Sequence, residues 1–293
     1  KKETTKPVQS DYNKLVGRDT MAIKGLMGVI QKENDYYLEI PKTLIGREIL
    51  VSNKLLQVPQ ELNEAGVNKG INYENKTIKF EWEKGLNKLN IREQRLTPEV
   101  YSFYAMAPSV KDNYINPLIA SLKIEGVSKD SASVVVKVTN LFNGKDECLN
   151  DVFNLINLGT SANSELSRIL SMKAFDNNVA ATSELTTVVH EGKSKTNITI
   201  VVSTSLILLP SRPMMGRLEN QRVGYFTTSR LHYGDNQPEV ATKNYITRWN
   251  LEPKDTAAYM RGELVEPVKP IEFYIDYAVP ANILPYIKKG ILD

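Results

Sequence analysis

Thr77-Ile-Lys-Phe-Glu-Trp82 alternates polar and apolar residues, so Ile78, Phe80 and Trp82 fall on one face of a predicted strand. The run from Leu86 to Arg95 resumes the same alternation after a short turn, which predicts the returning arm of a hairpin. A strand with one apolar and one polar face is typical of an antiparallel sheet that packs on one side.

The same alternation predicts three more hairpins. Their arms are Gly25 to Ile30 with Tyr36 to Ile40, Leu118 to Val127 with Ser133 to Val138, and Val179 to Val189 with Thr196 to Leu209. A further strand is predicted from Glu48 to Leu56, after one helical turn at Pro41 to Gly46. Because the loops are short and no βαβ rhythm occurs, we expect a mainly β fold, an antiparallel β-sandwich or an open barrel with few short helices.

Helical periodicity is confined to three segments. They are Asn140 to Phe153, Leu166 to Phe175 and the last residues of the chain. We predict a flexible lead-in at residues 1–19, a small N-terminal β module at 20–57, and a main antiparallel β domain at 58–265 that opens with a polar linker or long loop from Pro59 to Gly70.

Composition excludes several classes of protein. The 293 residues are 41% hydrophobic, which suffices for a core. The 37 basic residues are scattered among 34 acidic ones, a pattern that argues against a nucleic-acid partner. No apolar run approaches the roughly 20 residues of a membrane span. The single Cys148 forms no internal disulfide, and its acidic neighbours Asp146 and Glu147 disfavour a reactive thiolate.

No motif of the chain predicts a catalytic or metal-binding residue. The dipeptide His190-Glu191 begins the HExxH motif of zinc hydrolases, but no second histidine follows one helical turn later. The other histidine, His232, lies among strand residues and is expected to be packed or exposed rather than a ligand. The chain also lacks the GxSxG, GxxxxGK[ST] and GxGxxG patterns.

Aromatic and cationic residues concentrate late in the chain. We predict that an interface or the edge of a substrate cleft includes Arg222, Tyr225, Phe226, Tyr245, Arg248 and Trp249. On an extended segment, Tyr245 and Trp249 face the same way and form a stacking surface. A core edge or domain interface and a ligand groove both fit this pattern.

The C-terminal segment predicts the opening of another domain. A strand is expected at Ile271 to Asp276, and a helix from Ala281 to Asp293, since Ile283, Leu284, Ile287 and Ile291 recur at three- and four-residue spacings. No stop signal closes this helix, so we expect residues 266–293 to begin a domain that continues beyond Asp293.

The chain resembles the N-terminal part of a family of secreted bacterial zinc-dependent metalloproteases of the zincin type. The similar segments are Arg222-Val-Gly-Tyr-Phe226, Tyr245-Ile-Thr-Arg-Trp-Asn-Leu-Glu252, Gly262-Glu-Leu-Val-Glu-Pro267 and Lys269-Pro-Ile-Glu-Phe-Tyr-Ile-Asp276, with Tyr37-Leu-Glu-Ile-Pro and Leu44-Ile-Gly-Arg-Glu-Ile-Leu50 near the start. The resemblance implies that the predicted strand and helix of residues 266–293 open the zincin-type α+β catalytic domain. It implies that the zinc ligands lie downstream, and no catalytic residue is carried over to this chain.

Two classes of function follow as hypotheses. The first is a non-catalytic region of a zinc metallopeptidase that supports the catalytic domain and shapes substrate access; its partners are that downstream domain and a peptide or protein substrate. The second is a stand-alone envelope module that binds glycan or peptide on Tyr245 and Trp249, and an inhibitory pro-segment is a further alternative. A secreted, periplasmic or surface-anchored location is expected from the resemblance.

Overall fold

The computed structural model describes residues 12–15, 21–96, 98–128, 130–144, 149–156, 158, 160–191, 194–236 and 238–292. The chain divides into two compact units. The first unit comprises Lys1–Pro213 and Tyr233–Glu239, and the second comprises Met214–His232 and Val240–Asp293. The predicted mainly β fold is confirmed.

Antiparallel strands form one large sheet in the first unit. These strands are β1 (Met21–Ile23), β2 (Gly28–Lys32), β3 (Asp35–Pro41), β4 (Glu48–Gln57), β5 (Asn72–Glu83), β6 (Lys88–Gln94), β8 (Leu118–Val127), β9 (Ser133–Lys137), β10 (Arg168–Ala174), β11 (Asn178–Glu191) and β12 (Ser194–Leu208). The short β7 (Glu99–Val100) lies outside this sheet, as do β13 (Thr227–Tyr233) and β14 (Ala241–Ile246). The spatial order is β1-β2-β3-β9-β8-β6-β5-β4-β12-β11-β10.

The helices are short. They are α1 (Tyr12–Leu15), α2 (Gln60–Glu64), α3 (Ala107–Asp112), α4 (Thr139–Phe142), α5 (Thr256–Met260) and α6 (Leu284–Leu292). A 3₁₀ turn at Lys42–Leu44 confirms the helical turn predicted between β3 and β4.

All four predicted hairpins are present as β2–β3, β5–β6, β8–β9 and β11–β12. The pairings that join them connect distant parts of the sequence. Strand β3 pairs with β9, and β4 pairs with both β5 and β12. The strands of residues 20–57 therefore share one sheet with strands from residues 58–213, and the boundary between the two compact units follows Pro213.

The two ends of the large sheet approach each other, which nearly closes it into a barrel. The amide of Leu26, between β1 and β2, donates a hydrogen bond of 2.7 Å to the carbonyl of Phe175, just after β10. Gly25 lies against the same backbone, since a Cβ atom there would stand 2.7 Å from the carbonyl oxygen of Phe175. Of the two predicted architectures, the structure has the open barrel.

The segment from Val138 to Phe153 fills the barrel. Its apolar side chains Leu141, Phe142, Leu149, Val152 and Phe153 are at most 2% exposed. They pack against inward-facing strand residues in two adjoining clusters. Side-chain carboxamides satisfy backbone carbonyls of this irregular segment. The carboxamide of Asn53 donates to the carbonyl of Leu149, and that of Asn150 donates to the carbonyl of Phe142.

Four local predictions were wrong. The residues Leu166 to Phe175 contain strand β10 (Arg168–Ala174) rather than a helix, because this strand pairs with β11 at the end of the sheet. Within the described residues of Asn140 to Phe153, the helical pattern produces only α4. The predicted loop from Pro59 to Gly70 contains α2. Ile271 to Asp276 is not a strand in the described part of the chain.

Replacing Asn53 with leucine should lower the free energy of unfolding by about 2 kcal/mol, because it leaves buried polar groups without partners. Asn53 is 1% exposed; besides its bond to Leu149, it accepts a 2.7 Å hydrogen bond from the hydroxyl of Thr204. Urea denaturation followed by circular dichroism measures the change. The control is Asn68→Leu, which removes hydrogen bonds that are exposed to water. Equal losses in both variants would contradict the prediction.

Candidate interaction surface

The hairpin of β13 and β14 is the frame of the second unit. Its register runs from Thr227 opposite Ile246 to His232 opposite Ala241. The chain preceding β13 adds a further edge beside β14: the amide of Glu219 donates to the carbonyl of Asn244, and the amide of Ile246 donates to the carbonyl of Arg217, both at 2.9 Å.

Three of the predicted site residues meet at this edge. The ring of Tyr245 covers Gly216, where an added Cβ would stand 2.8 Å from a ring carbon. The guanidinium of Arg248 donates a 3.1 Å hydrogen bond to the carbonyl of Met215. The hydroxyl of Thr247 donates a 2.7 Å hydrogen bond to the carbonyl of Phe226. Tyr245, Arg248 and Phe226 thereby fix the strand ends against the preceding segment.

Phe226 contributes only its backbone carbonyl to this edge, and its side chain, like those of Trp249, Tyr225 and Arg222, is exposed to solvent. Phe226 is 91% exposed, Trp249 is 62% exposed and Tyr225 is 44% exposed. Arg222 is also exposed, in a turn where its amide bonds the side chain of Asn220. The predicted set thus contains residues with contacts at this edge and residues whose side chains are exposed to solvent.

A closed loop further along adds residues that the sequence analysis missed. The amide of Lys254 donates to the carbonyl of Glu266, and their side chains form a 2.8 Å ion pair that lowers the pKa of the Glu266 carboxyl. Inside the loop, the Asp255 carboxylate caps α5 by accepting from the amide of Ala258. The signals in the sequence were this N-cap and Gly262, whose φ of +84° ends α5.

The second unit has almost no buried side chains of its own. Within its described residues, only His232 and Ala258 are buried. Its exposed large apolar side chains include Met215, Phe226, Trp249, Met260, Leu264, Phe273, Tyr274, Tyr277 and Leu292, each more than 60% exposed. Helix α6 confirms the predicted C-terminal helix and buries no side chain at all. We call this set of exposed apolar side chains the exposed face, since large apolar surfaces of this kind are typical of interaction sites.

The candidate site residues carry aromatic rings and guanidinium groups, so the histidines were the candidate metal ligands to locate. His190 is an exposed residue of β11 opposite Lys195, and His232 is a buried residue of β13. Within the described part of the chain, no three His, Cys, Asp or Glu residues are placed to hold a metal ion. Cys148 lies outside the described residues. No helix among those described has the length and apolar character needed to cross a bilayer.

The fold and surface define a β-barrel protein that carries a second unit with an exposed apolar face. The chain belongs to the family described as Domain of unknown function (DUF5117), which matches residues 70–254. Residues 9–58 match a second family, Domain of unknown function (DUF5118), whose end coincides with the end of the predicted N-terminal module. No curated protein and no solved structure matches the chain.

Proposed function

We propose that this chain is the non-catalytic N-terminal portion of a zinc-dependent metallopeptidase, in which it supports the catalytic domain and shapes substrate access. The observation that supports this proposal is the exposed face. A folded unit gains its stability by burying apolar area, at about 25 cal/mol per Å². A second unit with only His232 and Ala258 buried gains little by this route, and a covering domain would supply the missing burial.

The choice of a peptidase rests on where the resemblance lies. The segments most similar to the metalloprotease family, around Arg222 to Phe226 and Tyr245 to Glu252, are in the second unit and contribute to the exposed face. In the proposal, zinc and the catalytic groups belong to the covering domain, and peptides or proteins are its substrates. A secreted, periplasmic or surface-anchored location is part of the same proposal.

The test compares the full-length gene product with this chain alone. We expect the full-length protein to bind zinc and to hydrolyse casein, and residues 1–293 alone to be inactive. Phe226→Asp in the full-length protein should lower peptidase activity at least tenfold, because a carboxylate in an apolar interface is costly to desolvate. Activity is followed by release of a fluorescent label from casein, and zinc by elemental analysis.

The matched control is Phe103→Asp, since Phe103 is also an exposed phenylalanine, at 77%, but belongs to the first unit. It should retain activity. Casein hydrolysis by residues 1–293 alone, a full-length protein without zinc, or full activity in Phe226→Asp would each refute the proposal.

A stand-alone module that binds glycan or peptide is the second candidate, favoured by the exposed ring of Trp249. It predicts binding to a glycan or peptide array that is lost in Trp249→Ala. An inhibitory pro-segment is a variant of the first proposal, and it predicts that added chain suppresses the separated catalytic domain. Neither outcome is expected if the chain only supports the catalytic domain.

A further inference from the structure

A cavity of about 350 Å³ opens on the first unit, beside the line where the barrel nearly closes. The turn of the β2–β3 hairpin contributes Gln31, Glu33 and Asn34 to its wall, and Arg168 contributes from β10. Its volume falls within the range of small-molecule sites, about 300–1,000 Å³.

The inner wall of the cavity is fixed by hydrogen bonds. The hydroxyl of Thr139 accepts from the amide of Tyr36 at 2.9 Å and donates to the carboxylate of Asp35 at 3.1 Å. The Tyr36 side chain is 6% exposed, and burial raises the pKa of its phenol. The cavity is also lined by the carboxamides of Gln31 and Asn34 and by two side chains of opposite charge, Glu33 and Arg168.

The two charges are a carboxylate and a guanidinium. Arg168 uses its Nε atom in a 3.0 Å ion pair with Glu184, and its side chain, which is 70% exposed, lines the cavity. Glu33 has a φ of +54°, a left-handed conformation that glycine or asparagine adopts at lower cost. A glutamate at this strained turn position is explained if its carboxylate serves a ligand.

We propose that this cavity binds a small zwitterion of amino-acid or dipeptide size. In this site, the Glu33 carboxylate accepts hydrogen bonds from the ammonium group of the ligand, and the Arg168 guanidinium donates to its carboxylate. The carboxamides of Gln31 and Asn34 bond the peptide group between them, because each offers both a donor and an acceptor. The cavity would bind this ligand whether or not another domain covers the second unit.

The test is isothermal titration calorimetry of the full chain with L-alanyl-L-alanine at pH 7. We expect saturable binding, with a Kd at or below the low millimolar range. N-acetyl-L-alanine methylamide, which carries neither charge, should bind at least tenfold more weakly. Glu33→Gln and Arg168→Gln should each weaken binding of the dipeptide at least tenfold.

Two controls separate ligand contacts from effects on the fold. Glu184→Gln removes the ion pair of Arg168 but keeps the guanidinium, so the dipeptide should still bind within about threefold of the wild-type Kd. Arg95→Gln changes an exposed arginine away from the cavity and should have no effect. The proposal would be overturned if the dipeptide did not bind at concentrations up to about 20 mM, or if the blocked peptide bound equally well. Unchanged dipeptide binding in Glu33→Gln and Arg168→Gln would also overturn it.

Discussion

Replacing Phe142 with alanine should lower the free energy of unfolding by about 3–5 kcal/mol, the usual cost of removing a large aromatic side chain from a core. Phe142 ends α4 and is fully buried in the larger cluster of the barrel. The strands around it are fixed by their pairing to both neighbours, so the barrel cannot collapse around the missing ring. The variant therefore keeps a cavity and also loses the transfer free energy of the removed atoms.

Urea denaturation followed by tryptophan fluorescence measures this loss for Phe142→Ala. The matched control is Phe103→Ala, because Phe103 is 77% exposed and its ring contacts only the rings of Tyr104 and Tyr101 among the aromatic residues that the structure describes, at 4.7 Å and 5.3 Å between centroids. We expect the control to cost less than about 1 kcal/mol. A similar midpoint for Phe142→Ala and the wild type would show that the segment does not fill the barrel.

Because side chains fill the barrel, we place both proposed binding sites outside its interior. Barrels that carry ligands leave room inside, but here the buried side chains of Leu141, Phe142, Leu149, Val152 and Phe153 occupy that space. The available surfaces are the cavity at the hairpin turn of the first unit and the exposed face of the second. Both proposals concern these two surfaces, and neither requires the barrel to open.

The hairpins were predictable because their information is local. In Thr77 to Trp82 the polarity of each residue predicts which face of the sheet it lies on, and short polar turns mark where the two strands of each hairpin end and begin. The joining of hairpins was not predictable in this way. The pairing of Tyr37 with Lys137 and that of Ser205 with Ser52 link residues far apart in the sequence, and many strands of similar polarity compete for each place.

The residue types of the candidate surface could be predicted from the sequence, but the absence of a core around them could not. Aromatic and arginine enrichment predicted an interface or cleft edge around Tyr245 and Trp249, and Trp249 is 62% exposed. The sequence could not show that the unit around it lacks a core, because apolar residues that pack inside and apolar residues that await a partner have the same side chains. The cavity beside Glu33 has no motif, since its walls come from three separate segments.

Gly25→Ala should lower the free energy of unfolding by about 2–3 kcal/mol, although it adds only one carbon atom. An added Cβ would stand 2.7 Å and 2.8 Å from the carbonyl oxygen and the amide nitrogen of Phe175. These are backbone atoms, so no side chain can rotate away, and the strand ends must separate.

That separation would break the hydrogen bond from Leu26 to Phe175, which joins the two ends of the sheet. Differential scanning calorimetry and amide hydrogen exchange of Leu26 measure the consequence: a lower Tm and faster exchange at this amide than in the wild type. Gly85→Ala is the matched control, because a Cβ there meets no atom within 4 Å and its φ is not in the left-handed region. If the two alanine variants melted at the same temperature and Leu26 stayed protected in both, the contact at Phe175 would not hold the barrel together, and strands β1 and β10 would instead be independent edges of an open sheet.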